Sequence, residues 1–141
     1  MLFESFAEYE SLYTPEGFAA TAITAEQIAN RIAEGPVWVA LFGEKIVATV
    51  SAIPKGDALY IRGMAVLPTA RGQRTGELLL THVAEFATTQ NFQRLLLSTT
   101  PFLDRAIRLY EHFGFRRTDE EPHELFGTPL FTMEKTMSDK L

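Results

Sequence analysis

The stretch of this 141-residue chain best suited to chemistry runs Met64-Ala-Val-Leu-Pro-Thr-Ala-Arg71-Gly72-Gln73-Arg74-Thr75-Gly76-Glu77-Leu-Leu-Leu80. It passes from a run of strand character to one of helix character through a basic, glycine-bearing loop. The first N–H groups of a helix have no intrahelical partner and point outward, so such a loop can cradle a phosphate, with Arg71 and Arg74 adding charge. Glycine there lets backbone and ligand approach closely. A Walker-type loop would need Gly-Lys-Ser/Thr and a dinucleotide fingerprint would need Gly-x-Gly-x-x-Gly, and neither is present. The loop reads as a pyrophosphate site of another type. A second group of interest is Tyr110, within Ala106-Ile-Arg-Leu109-Tyr110-Glu-His-Phe-Gly114-Phe115. A phenol can donate a proton, but Tyr110 also falls on the apolar stripe of its helix, and on spacing alone it reads as a core aromatic.

These residues must be positioned by the elements around them. Leu2, Phe6, Tyr9 and Tyr13 recur at helical spacing, and a capping-box pattern at Thr24 to Gln27 opens a second helix that Gly35-Pro36 stops. Val37 to Phe42, Ile46 to Ile53 and Ala58 to Val66 read as three antiparallel strands joined at Gly43-Glu44 and Lys55-Gly56-Asp57. Leu79, Leu80, Val83, Phe86 and Ala87 mark a third helix. It leads to the apolar strand Arg94 to Ser98, which is expected to lie parallel to its predecessor and to be covered on both faces. Thr100-Pro101 opens a fourth helix that Gly114 closes. The strands Phe115 to Thr118 and Leu130 to Thr136 follow, with a long acidic loop between them at Asp119 to Thr128. The order implies α+β architecture around one mixed sheet, as a single domain over residues 1–141.

Composition narrows the function. The net charge is −5, with 13 basic and 18 acidic side chains, and 46% of residues are hydrophobic. No apolar run is long enough to span a bilayer and the acidic start lacks a signal peptide's basic region, so a soluble cytoplasmic protein is expected, without a membrane partner. Cysteine is absent, which excludes disulfides, thiolate metal sites and a cysteine nucleophile; no metal is expected. Charge is uneven: residues 1–61 carry 3 basic and 8 acidic side chains, 62–117 carry 8 and 4, and 118–141 carry 2 and 6. The eight basic groups of the middle block are all arginines, suited to bidentate phosphate contacts. The acidic flanks argue against a nucleic-acid partner.

Val66-Leu-Pro68, Arg71, Gly76 and Leu79-Leu80 resemble, in register, the signature of the GNAT N-acetyltransferase superfamily, and Ala106, Leu109-Tyr110 and Gly114-Phe115 resemble its second one. Arg74 stands where the first signature has a glycine, and Leu103 where many members carry Asn. The resemblance covers Val37 to Thr136 and implies a mixed, mostly antiparallel sheet with a central parallel pair, helices on both faces and a three-layer α/β arrangement. Members begin with a strand, whereas this sequence reads as starting directly in the first helix, so Val37 to Phe42 is expected to be an exposed edge unless a partner, for example in a homodimer, covers it.

The resemblance further implies transfer of an acetyl group from acetyl-CoA, as cosubstrate, to a primary amine of a small molecule or protein by direct attack in a ternary complex. The pantetheine arm would lie where the strands bearing Ala58 to Val66 and Arg94 to Ser98 part, near a bulge for which Gly63 is a suitable site. Met64, Ala65 and Val66, then Arg71, Gly72, Gln73, Arg74, Thr75, Gly76 and Glu77, would bind it, with a backbone N–H near Ala65 or Val66 facing the developing oxyanion. Tyr110 matches the tyrosine that protonates the leaving thiolate. For the base, the strand Ala58 to Val66 holds no acid, and a water chain to a carboxylate is preferred over Asp57, Glu44, His82, His112 or His123. Glu4, Glu8, Glu10 and Glu16 would favour a cationic acceptor. A non-catalytic acyl-CoA-binding module is the alternative, motivated by Arg74 and Leu103.

Overall fold

The computed structural model describes residues 32–72, 74–118, 122–125 and 127–137. The first expected helix lies outside them, as does any strand before it. Of the second helix only 32–34 is described, and it ends before Gly35, as the Gly-Pro pair requires. Strands β1 (Val37–Phe42), β2 (Lys45–Lys55) and β3 (Ala58–Val66) form an antiparallel meander. A 3-10 turn at Pro68–Ala70 precedes helix α1 (Thr75–Thr89), then β4 (Arg94–Thr99), helix α2 (Asp104–Phe113), β5 (Arg116–Arg117), β6 (His123–Leu125) and β7 (Thr128–Thr136). The sheet order is β1-β2-β3-β4-β7-β5, with β6 paired to β7. Among the described strands only β3 and β4 run parallel, because α1 carries the chain back between them. The mixed α+β architecture is therefore as expected.

Alternation along the strands decides where the core lies. Val50 and Ala52, Leu59 and Ile61, and Leu95 and Leu97 are buried together with Leu79, Leu80, Val83 and Ala87 of α1. Burying each large aliphatic side chain contributes roughly 1.5–3 kcal/mol. Along β4, Leu95, Leu97 and Thr99 are buried on one face, and Arg94, Leu96 and Ser98 are half-buried on the other. The helix expected from Thr100-Pro101 starts later, at Asp104; the preceding residues form a turn in which the Leu103 N–H reaches the Thr100 carbonyl at 3.3 Å. The acidic stretch expected to be a loop contains β6, whose residues pair in a hairpin with the start of β7, His123 opposite Leu130. This alternation is too short to register as a strand in sequence, and only β7 supplies its partner.

Strand β1 is the edge of the described sheet, with Val39, Leu41 and Phe42 about half-exposed. Gly35 packs against β2: a Cβ there would overlap the Ala52 carbonyl oxygen, and Ala52 N–H donates to the Pro36 carbonyl at 3.0 Å. Backbone cannot yield as a side chain can. Gly35→Ala is expected to destabilise the fold by about 1–3 kcal/mol, read as a lower denaturant midpoint at unchanged slope; a wild-type midpoint would refute that packing. No helix among the described residues is long and apolar enough to cross a membrane.

Candidate active site

The parallel pair holds together at one end only. Residues Ala58 to Ile61 pair with Arg94 to Leu97, and beyond Ile61 and Leu97 no β3–β4 pairing is made. The paired end is clamped by Arg94, whose Nε donates to Asp57 Oδ1 at 3.2 Å and whose Nη1 donates to Glu134 Oε2 at 2.7 Å. Those two carboxylates, Glu134 foremost, raise the Arg94 pKa above its ordinary value, so its charge is retained. At the other end β4 stays paired to β7 through Thr99 opposite Phe131, while β3 follows β2 away.

A bulge marks the parting. Thr49 pairs with Ala65 and Ser51 with Arg62, so Val50 alone faces Gly63 and Met64. Gly63 has φ +68°, the left-handed conformation in which glycine carries no Cβ penalty. The expected bulge is therefore present at that residue. Backbone groups of β3 on the β4 side, past Ile61, are left without strand partners and must pair elsewhere.

Between the parted strands opens a cleft of ≈ 700 Å³, large enough for a cofactor-sized ligand. Met64, Ala65, Val66, Arg71, Gly72, Arg74, Thr75, Gly76, Glu77 and Tyr110 all line it; Gln73 lies outside the described residues. The α1 N-terminus and the parted strands thus share one cavity. Its described lining carries five arginines, Arg62, Arg71, Arg74, Arg105 and Arg108, against one carboxylate, Glu77. Such a surplus of positive charge suits a polyanion. Glu4, Glu8, Glu10 and Glu16, the basis for expecting a cationic acceptor, lie outside the described residues.

Arg74 caps α1 with φ +61° and ψ +19°. This is the left-handed conformation that a glycine would adopt without strain, which explains why a glycine belongs at this point of the signature. A residue with a Cβ pays roughly 1–2 kcal/mol there, partly offset because glycine is freer in the unfolded chain. Arg74→Gly is expected to raise the melting temperature by about 1–3 °C, measured by thermal unfolding; a lower melting temperature would show that the arginine contributes more contact energy than it costs in strain. Gly76 has a different reason. A Cβ there would meet Leu109 Cδ2 at 2.7 Å and Met64 Cε at 3.2 Å, so the missing side chain lets α1 settle against α2 and the tip of β3.

Tyr110 is 6% exposed and sits with Phe115 edge-on at 5.9 Å between ring centroids. It is at once a core residue and part of the cleft wall. Sequence reasoning missed four further polar residues of the wall. Thr99 and Thr100 are buried, and their hydroxyls have no hydrogen-bond partner among the described residues. Tyr60 OH donates to Ser98 Oγ at 2.9 Å, and Ser98 Oγ lies 3.5 Å from His123 Nε2. The one available signal was polar residues ending an apolar strand, at Ser98-Thr99-Thr100. Of the other groups weighed as a base, Asp57 is engaged by Arg94, Glu44 and His112 are exposed, and His82 faces Glu85 on the surface at 3.6 Å.

The sequence profile of the acetyltransferase (GNAT) family matches residues 3–115. The chain belongs to this family. Among curated relatives of the GNAT chain, the probable N-acetyltransferase camello of Xenopus laevis is 36% identical over 84 residues, 57% of this chain and 38% of that protein. An uncharacterised N-acetyltransferase, YjgM, of Escherichia coli is 34% identical over 86 residues, 58% of this chain and 52% of that protein. N-acetylaspartate synthetase of Danio rerio is 34% identical over 101 residues, 70% of this chain and 36% of that protein. The chain thus spans about half the length of these relatives or less. The PaiA N-acetyltransferase of Thermoplasma acidophilum, solved with coenzyme A, shares the fold at a TM-score of 0.80 and 16% identity, covering 96% of this chain and 87% of that one. A GNAT acetyltransferase of Elizabethkingia anophelis with acetyl-CoA bound gives 0.66 and 22%, covering 80% and 83%.

Proposed function

We propose that this GNAT chain transfers an acetyl group from acetyl-CoA to a primary amine of a small molecule or of a protein, by direct attack while both substrates are bound. The observation that carries this reading is the coincidence, in one cleft, of the bulged end of β3, open on its β4 side, with the α1 N-terminus. The thioester would supply an acetyl group already activated for attack. The chain's part is to hold and polarise it. Unpaired β3 backbone past the bulge can pair with the amides of the pantetheine arm. The first N–H groups of α1, with Arg71 and Arg74, would take the pyrophosphate. A backbone N–H near Ala65 or Val66 would stabilise the charge that develops on the thioester oxygen. Tyr110 would give its phenolic proton to the departing sulfur.

The relatives' names support amine acceptors in general, one being a synthetase of N-acetylaspartate, and they fix no acceptor for this chain. Isothermal titration with acetyl-CoA, followed by a thiol-release assay over a panel of alkyl amines, amino acids and peptide N-termini, tests the proposal. Binding with turnover of at least one amine is expected. Binding without turnover of any would leave an acyl-CoA-binding module, and failure to bind at near-millimolar concentration would remove both readings.

A further inference from the structure

Resting on that reading, we propose that Tyr60, Ser98 and His123 form a proton relay that deprotonates the acceptor amine. A primary alkyl amine arrives protonated, and the nitrogen lone pair is free to attack only after a proton has left. The described cleft wall holds one carboxylate, Glu77, and it belongs to the first turn of α1, beside the proposed phosphate site; the Glu34 carboxylate, outside that wall, is engaged by the Arg62 guanidinium. A carboxylate route through the described wall is therefore poorly placed for the amine. The hydrogen-bonded chain stands instead where the strands part: Tyr60 is the last but one of the β3 residues paired to β4, and Ser98 is the first β4 residue beyond the pairing. Both line the cleft. His123 lies behind Ser98, exposed to solvent on β6.

The direction of each bond follows from the chemistry of the groups. Tyr60 OH donates to Ser98 Oγ at 2.9 Å, occupying one of the two acceptor sites of that hydroxyl. Ser98 therefore keeps its own proton to offer to His123 Nε2, 3.5 Å away, with the imidazole in the tautomer protonated at Nδ1. The second acceptor site of Ser98 is left for an ammonium N–H in the cleft. In the transfer, that N–H bond breaks and its proton passes to Ser98 Oγ. The Ser98 O–H bond breaks in turn and its proton bonds to His123 Nε2. The products are a neutral amine, an unchanged serine and an imidazolium, which releases the proton to water from its exposed position. Tyr60 orients the serine, and the Lys55 ammonium, 4.6 Å from the centre of the Tyr60 ring, covers that ring. The hairpin of β6 with β7 brings His123 to this place.

The test compares kcat for wild type, His123→Ala, Ser98→Ala and Ser98→Thr, with a basic alkyl amine and with a weakly basic arylamine or hydrazine that is already neutral at the assay pH. Acetyl-CoA affinity is measured by titration for each variant. For the basic amine, His123→Ala and Ser98→Ala should lower kcat roughly 10²-fold, at the lower end of general-base contributions, with acetyl-CoA affinity unchanged. Ser98→Thr should retain most of the rate, and added imidazole should restore His123→Ala at least about tenfold. For the weakly basic acceptor, all variants should match wild type, an outcome that a merely structural role would not produce. Full kcat of His123→Ala and Ser98→Ala on the basic amine, or equal losses on both acceptors, overturns the relay alone. A wild type that binds acetyl-CoA and acetylates no amine overturns the activity and the relay together.

Discussion

Tyr110→Phe should lower kcat by roughly 10²–10⁴-fold, the range in which a positioned general acid contributes, while leaving acetyl-CoA affinity within about threefold of wild type. The argument is geometric. Tyr110 is held by the packing of α2 against α1 and by the edge of the Phe115 ring, yet its side chain also forms part of the cleft wall. Removing one oxygen keeps the ring and the core volume, so the fold should lose no more than about 1 kcal/mol. Steady-state rates over a range of pH, with a melting curve for each protein, separate the two effects. A full rate for the folded variant at every pH would rule Tyr110 out as the acid and leave it a core aromatic.

The largest stability effect is expected from Phe115→Ala, at about 3–5 kcal/mol. Phe115 is 1% exposed, stacks on Phe113 at 6.5 Å between centroids and meets Tyr110 edge-on. Its N–H also donates to the Tyr110 carbonyl at 2.9 Å, so it closes α2 against β5 where Gly114 turns at φ +108°. An alanine leaves a cavity on one side of the Tyr110 ring, and activity should fall further than the folded fraction. Denaturant unfolding followed by fluorescence or circular dichroism measures the loss. A cost below about 1 kcal/mol would mean that the aromatic cluster repacks and that Tyr110 does not depend on it.

How much of this was legible beforehand varies with the range of the interaction. The elements Val37–Phe42, Ala58–Val66 and α1, and the loop between the last two, could be read from local patterns, because strand alternation, helix spacing and turn residues are written over a few consecutive positions. Gly63 could be named as a candidate bulge because an interior strand glycine marks either a bulge or a close approach beneath a helix, and the sequence left the two level. By contrast, β6 has three residues and exists only through its pairing with β7, and the delayed start of α2 depends on a turn at Thr100 to Leu103. Neither carries a periodic signal.

The same division holds for the site. By itself the sequence determined the chemical types available: an arginine-rich loop at a helix start, a phenol seven positions past Leu103, no thiol, and a middle block of positive charge between acidic ones. It also showed an arginine where a glycine was expected, without showing that the backbone still takes the left-handed turn at that point. Only the tertiary structure decided which groups meet. Tyr60, Ser98 and His123 are 38 and 25 residues apart along the chain, and no local pattern relates them. They converge because β3 and β4 are parallel, part after Ile61 and Leu97, and leave a gap that the β6–β7 hairpin reaches. Strand order and the point where pairing stops are set by the packing of the whole sheet, a property of contacts distant in sequence, and a proton path across that gap follows from them.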